Sequence, residues 1–245
     1  MGYTIAIAGK GGTGKTTIAA LIVRLIKEEK LGSILAVDAD PNSNLAEFLG
    51  VRVKESIGSI IDDIASNPGK IPAGTSKDRF IDYRIQTAIQ EQDGFDTLTM
   101  GRPEGPGCYC YANNVLRNIV TKLIKDYGYI IIDNEAGLEH LSRRTTREAD
   151  ALIIVSDATV AGMRAAKRIY DLVKELNIKT KKNFLIINRS DIKPQALIEG
   201  VNYLGNIPED KEIEALSLNG HSLLDLQKSS KALNSLRGLG DKIWH

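Results

Sequence analysis

Nine residues near the start of the chain have the types and spacing of a phosphate-binding loop. They match the pattern G-x-x-x-x-G-K-[ST]: Gly9, Lys10, Gly11, Gly12, Thr13, Gly14, Lys15, Thr16 and Thr17. Glycines let backbone N–H groups converge on a polyphosphate, and a following helix adds a favourable dipole. In such a loop Lys15 reaches the β- and γ-phosphates, and the Thr16 hydroxyl coordinates Mg²⁺.

Three carboxylates follow two other apolar runs. Asp38 and Asp40 come after residues 33–37, and Asp133 ends the run that starts at Tyr129. Carboxylates at the carboxyl edge of a parallel sheet face the nucleotide crevice. We expect Asp38 to support the Mg²⁺ shell, Asp133 to hold Mg²⁺ through water and Asp40 to orient the attacking water. An Asx turn that closes the strand is the structural alternative for Asp40.

The elements that must position these residues are strands alternating with helices. Strands are expected at residues 3–8, 33–38, 95–101, 129–133, 151–155, 184–188 and 203–207, and helices at 18–26, 115–124 and 161–176. This alternation predicts an α/β fold with a doubly wound, mainly parallel sheet and helices on both faces. We expect one domain over residues 1–245. Within it, residues 51–95 form an irregular insertion, packed on the core, with a short helix at 57–64.

Composition excludes several classes of protein. The 245 residues carry a net charge of +1, which gives no electrostatic argument for nucleic acid or an anionic membrane. No apolar run approaches 18 residues, and because the first expected strand begins at residue 3 we expect no signal peptide. We expect a cytoplasmic protein. The tail is expected to be a closing core helix, because Gly238 and Gly240 interrupt any membrane-binding amphipathic pattern.

The two cysteines, Cys108 and Cys110, are one residue apart in a Gly/Pro-rich loop before a helix. A helix N-terminus lowers thiol pKa and favours the metal-binding thiolate. One chain supplies only two thiolates, however, whereas tetrahedral zinc or square-planar nickel takes four ligands. Small buried residues remain the alternative interpretation.

Lys10, a second lysine just after the first glycine, makes the chain resemble the dimeric ATPases that include the nitrogenase iron protein, MinD and ParA. The resemblance implies that Lys10 reaches the partner's phosphates, and that Asp40 orients water in the first switch. It also implies that Asn188 and Arg189 recognise adenine. Two further residues, Pro208 and Asp210, belong to a turn that closes the adenine pocket in relatives. A solvated Lys10 and an ordinary turn at Asn188 are the alternatives.

The C-x-C pair and the run Ala-Gly-x-Glu-His-Leu at residues 136–141 resemble the CooC-type ATPases that insert nickel into carbon monoxide dehydrogenase. This narrower resemblance implies a homodimer in which Cys108 and Cys110 of both subunits hold Ni²⁺ or Zn²⁺. It also implies an apo carbon monoxide dehydrogenase or a related enzyme as partner. From the net charge and the tail we expect no nucleic acid and no membrane as partners. For His140, a helix-cap or interface residue is the preferred interpretation, and a metal ligand is the alternative.

Two other functions remain open at this point. One is a positioning ATPase of the MinD/ParA kind, which needs no metal. The other is an iron–sulfur carrier akin to the nitrogenase iron protein. In that protein the second cysteine of the cluster follows the Walker B strand, which corresponds to residues 129–133 here. This chain has no cysteine after that strand, so the same cluster arrangement is not supported.

Overall fold

The computed structural model describes residues 2–42, 44–103, 108–135 and 148–244, without the side chains of residues 108–110 and 113. The strands within these residues are β1 (Tyr3–Gly9), β2 (Ile34–Asp38), β3 (Gln90–Gln92), β4 (Phe95–Thr99), β5 (Tyr129–Asp133), β6 (Glu148–Ser156), β7 (Lys179–Asn188) and β8 (Asn202–Ile207). The helices are α1 (Lys15–Glu28), α2 (Asn44–Phe48), α3 (Ile57–Ser66), α4 (Lys77–Ala88), α5 (Cys108–Leu123), α6 (Val160–Glu175), α7 (Lys211–Leu218) and α8 (Lys231–Trp244).

The eight strands form a single sheet in the order β3-β4-β2-β5-β1-β6-β7-β8. Every neighbouring pair is parallel except β3 with β4, which is antiparallel. This confirms the doubly wound, mainly parallel sheet. The register places Asp133 at the end of β5 beside Ile7 of β1 and Asp38 of β2. The predicted acidic residues and the phosphate loop therefore lie at the same edge of the sheet.

Both faces of the sheet are buried, because side chains alternate along each strand. Ile5 and Ile7 of β1 pack with α1 and α8 on one face. Ala6 and Ala8 point to the opposite face, where they pack with α6. A further cluster on β2, β4 and β5 is covered by α3, α4 and α5. The sheet therefore lies between layers of packed helices, and the phosphate loop follows directly from its buried strand β1.

Residues 51–95 are more regular than expected. The predicted short helix is α3, which begins with a capping box: the Ser56 hydroxyl accepts from the Ser59 N–H, and the Ser59 hydroxyl accepts from the Ser56 N–H. A second helix, α4, was not predicted. It buries Ile81 and Ile85 in the same cluster as α3, so the segment does pack on the core. This four-residue spacing is the helical signal that the many intervening charges obscured.

The tail forms α8, a continuous helix despite its two glycines. Leu233, Leu236 and Ile243 are fully buried in the first core cluster, which confirms the closing core helix. Gly240 is needed for packing, since a Cβ there would lie 2.2 Å from the Trp244 ring. Among the described residues no helix has the length and apolar character needed to cross a membrane.

Candidate functional site

The phosphate loop turns sharply between β1 and α1. Gly14, the residue before α1, has φ +87°, a left-handed conformation that glycine adopts without strain. A Cβ on Gly14 would lie 2.3 Å from Nδ2 of Asn188. Within the loop, the Thr13 hydroxyl and N–H donate to the Lys10 carbonyl at 2.9 and 3.3 Å. The loop backbone is therefore fixed both by its own turn and by the strand end that faces it.

The two lysines of the loop have different environments. Lys15 is buried, and its Nζ donates to the Lys10 carbonyl at 3.5 Å. Burial lowers the pKa of Lys15, while the nearby carboxylates of Asp133, Asp40 and Glu135 act in the opposite direction. The Lys10 residue is exposed. One lysine thus places positive charge inside the site, and the other is accessible from outside.

Asp38 is 2% exposed and accepts two backbone hydrogen bonds. Its Oδ1 accepts from the Asp40 N–H at 3.1 Å, and its Oδ2 accepts from the Leu45 N–H at 2.8 Å. The carboxylate thereby shapes the segment that carries Asp40. Burial, followed by repulsion from Asp133, raises the pKa of Asp38 to about 7. Its role in the Mg²⁺ shell stays a prediction.

Asp133 has the features of a group prepared for a cation. Burial raises its pKa to about 6, although a hydrogen bond from the Thr16 side chain and the charge of Lys15 both act to lower it. Its Oδ1 is buried and has no hydrogen-bond partner among the described residues. An unpaired buried carboxylate oxygen is costly unless something else binds it. Thr16 and Asp133 therefore fit a hydrated Mg²⁺, which prefers oxygen ligands.

At the other end of the site, a cavity of about 380 Å³ opens beside α1. Asn188 and Arg189 lie in its wall, and both contact the phosphate loop. Nδ2 of Asn188 donates to the Thr13 carbonyl at 2.8 Å, and Nη1 of Arg189 donates to the Gly12 carbonyl at 3.4 Å. The other residues that line it are Thr17, Ile18, Leu21, Phe48, Ile207, Pro208, Glu209, Asp210, Ile213, Glu214, Ser217, Leu218 and Ala232. The structure thus brings the residues predicted to recognise adenine and the phosphate loop into one site.

Comparison with known proteins agrees with this geometry. Residues 4–223 match the family described as the CobQ/CobB/MinD/ParA nucleotide binding domain. The chain belongs to this family. It is 41% identical over 247 residues to an uncharacterized ATP-binding protein of Methanocaldococcus jannaschii, covering 98% of this chain and 97% of that protein. It is therefore a P-loop ATPase of the MinD/ParA type.

Two further likenesses are informative. The carbon monoxide dehydrogenase accessory protein CooC of Rhodospirillum rubrum is 27% identical over 241 residues, covering 93% of this chain and 91% of that protein. The structure of MinD from Pyrococcus horikoshii complexed with Mg-ADP aligns with a TM-score of 0.73 and 24% identity, covering 99% and 96% of the two chains. The second likeness supports the MinD/ParA fold alone.

In this MinD/ParA-type ATPase, the turn that contains Pro208 and Asp210 is followed by a helix that the sequence did not reveal. Asp210 caps that helix, α7, by accepting from the Glu212 N–H at 3.0 Å. The missed signal was an Asp at an N-cap position with acidic residues in the next turn. Residues of α7 and Ala232 of α8 line the same cavity as Asn188.

The predicted metal-delivering residues are only partly covered. Helix α5 begins at Cys108, so Cys108 and Cys110 lie in its first turn, as expected for thiols near a helix N-terminus. Their side chains, and the whole of His140, lie outside the described residues. Elsewhere, in the part of the chain that is described, no group of three or more His, Cys, Asp or Glu side chains is arranged to hold a metal ion. The C-x-C site stays a prediction.

Proposed function

We propose that this protein is a dimeric, MgATP-hydrolysing metallochaperone that holds Ni²⁺ or Zn²⁺ between its subunits. Its client is carbon monoxide dehydrogenase or a related nickel enzyme. The observation that carries this proposal is the C-x-C pair in the first turn of α5, in a chain similar over 93% of its length to a carbon monoxide dehydrogenase accessory protein. Two copies of the pair would supply the four ligands that one chain lacks.

The roles in ATP hydrolysis follow from position and charge. The buried ammonium of Lys15 binds the β- and γ-phosphates, and Asp40 orients the attacking water from the segment that Asp38 shapes. The exposed Lys10 reaches the nucleotide of the second subunit. Mg²⁺, when bound, neutralises charge on the phosphates. Thr16 and Asp133 would hold it.

Packed side chains connect the strand that carries Asp38 to helix α5. Val37 of β2, one residue before Asp38, packs in the same cluster as Leu116 and Ile119 of α5. In this proposal, nucleotide binding displaces the end of β2, and the shared cluster transmits that displacement to α5. By linkage, if ATP favours the dimer and the dimer completes the metal site, metal binding must favour ATP binding by the same factor.

The test is metal content per dimer, measured with and without ATP in the wild type and in the Cys108→Ser/Cys110→Ser variant. We expect about one nickel or zinc ion per ATP-bound dimer in the wild type, because four thiolates make one site. The double variant is expected to lose the metal while it still hydrolyses ATP. Metal content unaffected by the double substitution would refute these ligands.

A positioning ATPase is the second candidate. The observation that favours it is 23% identity over 99% of this chain to the septum site-determining protein MinD of Bacillus subtilis. Such a protein requires no transition metal. The same experiment separates the candidates, since a wild type that hydrolyses ATP, dimerises and binds neither nickel nor zinc would support the positioning function.

A further inference from the structure

The Asp210 side chain lies where the N-termini of two helices meet. Its Oδ1 accepts from the Glu212 N–H at the start of α7. Its Oδ2 accepts from the Ser230 hydroxyl at 2.7 Å and from the Ala232 N–H at 3.2 Å, at the start of α8. A carboxylate at a helix N-terminus satisfies N–H groups that have no partner within the helix and interacts well with the helix dipole. Here one carboxylate does this for two helices.

The hydrogen bonds around Asp210 extend through Ser230, which is 4% exposed. The Ser230 hydroxyl donates to Asp210 and accepts from the Leu233 N–H at 3.1 Å. It therefore acts as a second cap within the first turn of α8. Ser230 does not line the cavity, whereas Ala232, two residues later, does. The serine can therefore influence a bound nucleotide only indirectly, through the position of α8 and through its hydrogen bond to Asp210.

Both capped helices form the wall of the nucleotide cavity. Ile213, Ser217 and Leu218 come from α7, and Ala232 comes from α8. The Glu212 side chain adds a further link, because its Oε1 accepts from the Gln227 N–H at 2.8 Å in the connection before α8. This part of the cavity wall is thus assembled from two helices that meet at one carboxylate.

We infer that Asp210 is a positioning residue, which sets nucleotide affinity by holding α7 and α8 together as one wall, and that Ser230 is its partner in this role. Both oxygens of Asp210 already accept hydrogen bonds from the protein. This inference rests on the ATP-binding part of the proposed function and is independent of the metal. It predicts that loss of Asp210 raises the Kd for ATP with little effect on kcat.

The test compares Asp210→Ala, Ser230→Ala and the double variant by ATP binding and by steady-state hydrolysis. Losing a helix cap is worth roughly a threefold to tenfold change in an equilibrium constant. We expect each single variant to raise Kd and KM by about that factor with kcat nearly unchanged. The double variant should raise Kd by more than Asp210→Ala but by less than the product of the two single factors, because the side chains share one hydrogen bond while Ser230 also accepts from the Leu233 N–H.

Ser76→Ala is the matched control, since Ser76 caps α4, which does not line the cavity. It should lower thermal stability without changing Kd. Asp210→Asn, which keeps one acceptor oxygen, should recover part of the affinity. A raised Kd in Asp210→Ala with an unchanged Kd in Ser230→Ala would overturn the inference and indicate direct contact with nucleotide. Unchanged Kd in both, or an equal rise in Ser76→Ala, would also overturn it. A wild type that binds no ATP would instead refute the proposed function.

Discussion

The two ends of the nucleotide site use their polar groups differently. At the phosphate end, Asp38 and Asp133 are buried beside each other, and burial raises the pKa of both carboxyls. At the base end, burial alone would raise the pKa of Asp210, but hydrogen bonds from Ser230 and from backbone N–H groups outweigh it and hold the pKa below its usual range. The carboxylates at the phosphate end are disfavoured until a cationic ligand binds. The carboxylate at the base end is stabilised by hydrogen bonds from the protein itself.

This contrast predicts different costs of mutation. A group held for a ligand contributes to chemistry and little, or negatively, to stability. A group that is satisfied by the protein contributes to stability and to binding through the shape of the cavity. Trade-offs of this kind are expected at active sites, where preorganised charge is unfavourable until the ligand arrives.

The largest expected effect concerns Lys10. Lys10→Ala should lower kcat for ATP roughly 10³-fold or more, the range found for charges supplied in trans to phosphoryl transfer. The free energy of unfolding should change by no more than about 0.5 kcal/mol, because the residue is exposed. Hydrolysis rate and thermal melting measure the two effects. Lys228→Ala, another exposed lysine, is the control and should change neither.

A second experiment asks whether Lys10 acts in its own subunit or in the partner's. Mixing this variant with a hydrolysis-deficient Lys15→Ala variant tests whether the lysine acts across subunits. If Lys10 serves the partner's site, the mixed dimer holds one site with both lysines missing and one site intact, so activity should return. No recovery, with mixed dimers demonstrated by cross-linking, would place the action of Lys10 within its own subunit.

The second prediction compares how the two ends affect the pH dependence of the free energy of unfolding. The folded-state pKa of Asp38 is about 7 and its ordinary value is 3.8, so ionisation is disfavoured in the folded protein. The stability lost through Asp38 should grow as pH rises from about 4 to 7, to on the order of 4 kcal/mol. Relative to Asp38→Asn, the wild type should therefore become less stable over this window. Chemical unfolding without nucleotide and Mg²⁺ measures the difference.

Asp210→Asn should show the opposite sign. A carboxyl whose pKa is lowered on folding contributes stability above its unfolded-state pKa, and that stability is lost as pH falls through the folded-state pKa. The wild type should exceed Asp210→Asn in stability at neutral pH, and the difference should shrink on acidification. Two difference curves with the same slope would break the proposed contrast between the two ends.

The third prediction concerns the contact that joins the ends. Gly14→Ala places a Cβ 2.3 Å from Nδ2 of Asn188 and holds alanine at φ +87°. We expect a loss of about 2–4 kcal/mol in stability from strain together with displacement of a buried amide. Gly12→Ala has φ +79° but no atom within 4 Å of the new Cβ, so it should lose only about 1–2 kcal/mol. Equal losses of stability in the two variants would show that the close approach of Asn188 to Gly14 does not contribute to stability.

The same contact explains how far the sequence could predict this site. The phosphate loop, the strand ends at Asp38 and Asp133, and the position of Asn188 follow from short local patterns. The hydrogen bond from Asn188 to Thr13 joins residues 175 positions apart, and the capping of α8 by Asp210 spans 22 positions. Such long-range partners depend on sheet order and helix packing, which no local pattern encodes. Helix α4 was missed for a different reason, because its charges mask its apolar stripe.

The smallest expected effect is at Arg189, an exposed residue of the base end. It has φ +55°, and its contact with the Gly12 carbonyl is long. Arg189→Asn keeps a residue that tolerates this backbone conformation, so the free energy of unfolding should change by no more than about 0.5 kcal/mol. Removing one cation from the mouth of the cavity should raise the Kd for ATP about twofold to fivefold, since an exposed charge contributes at most about 1 kcal/mol. Titration at low and high salt checks this, because screening should shrink the difference. If Arg189→Asn lowers the stability without raising the Kd for ATP, Arg189 stabilises the fold and does not contribute to nucleotide binding.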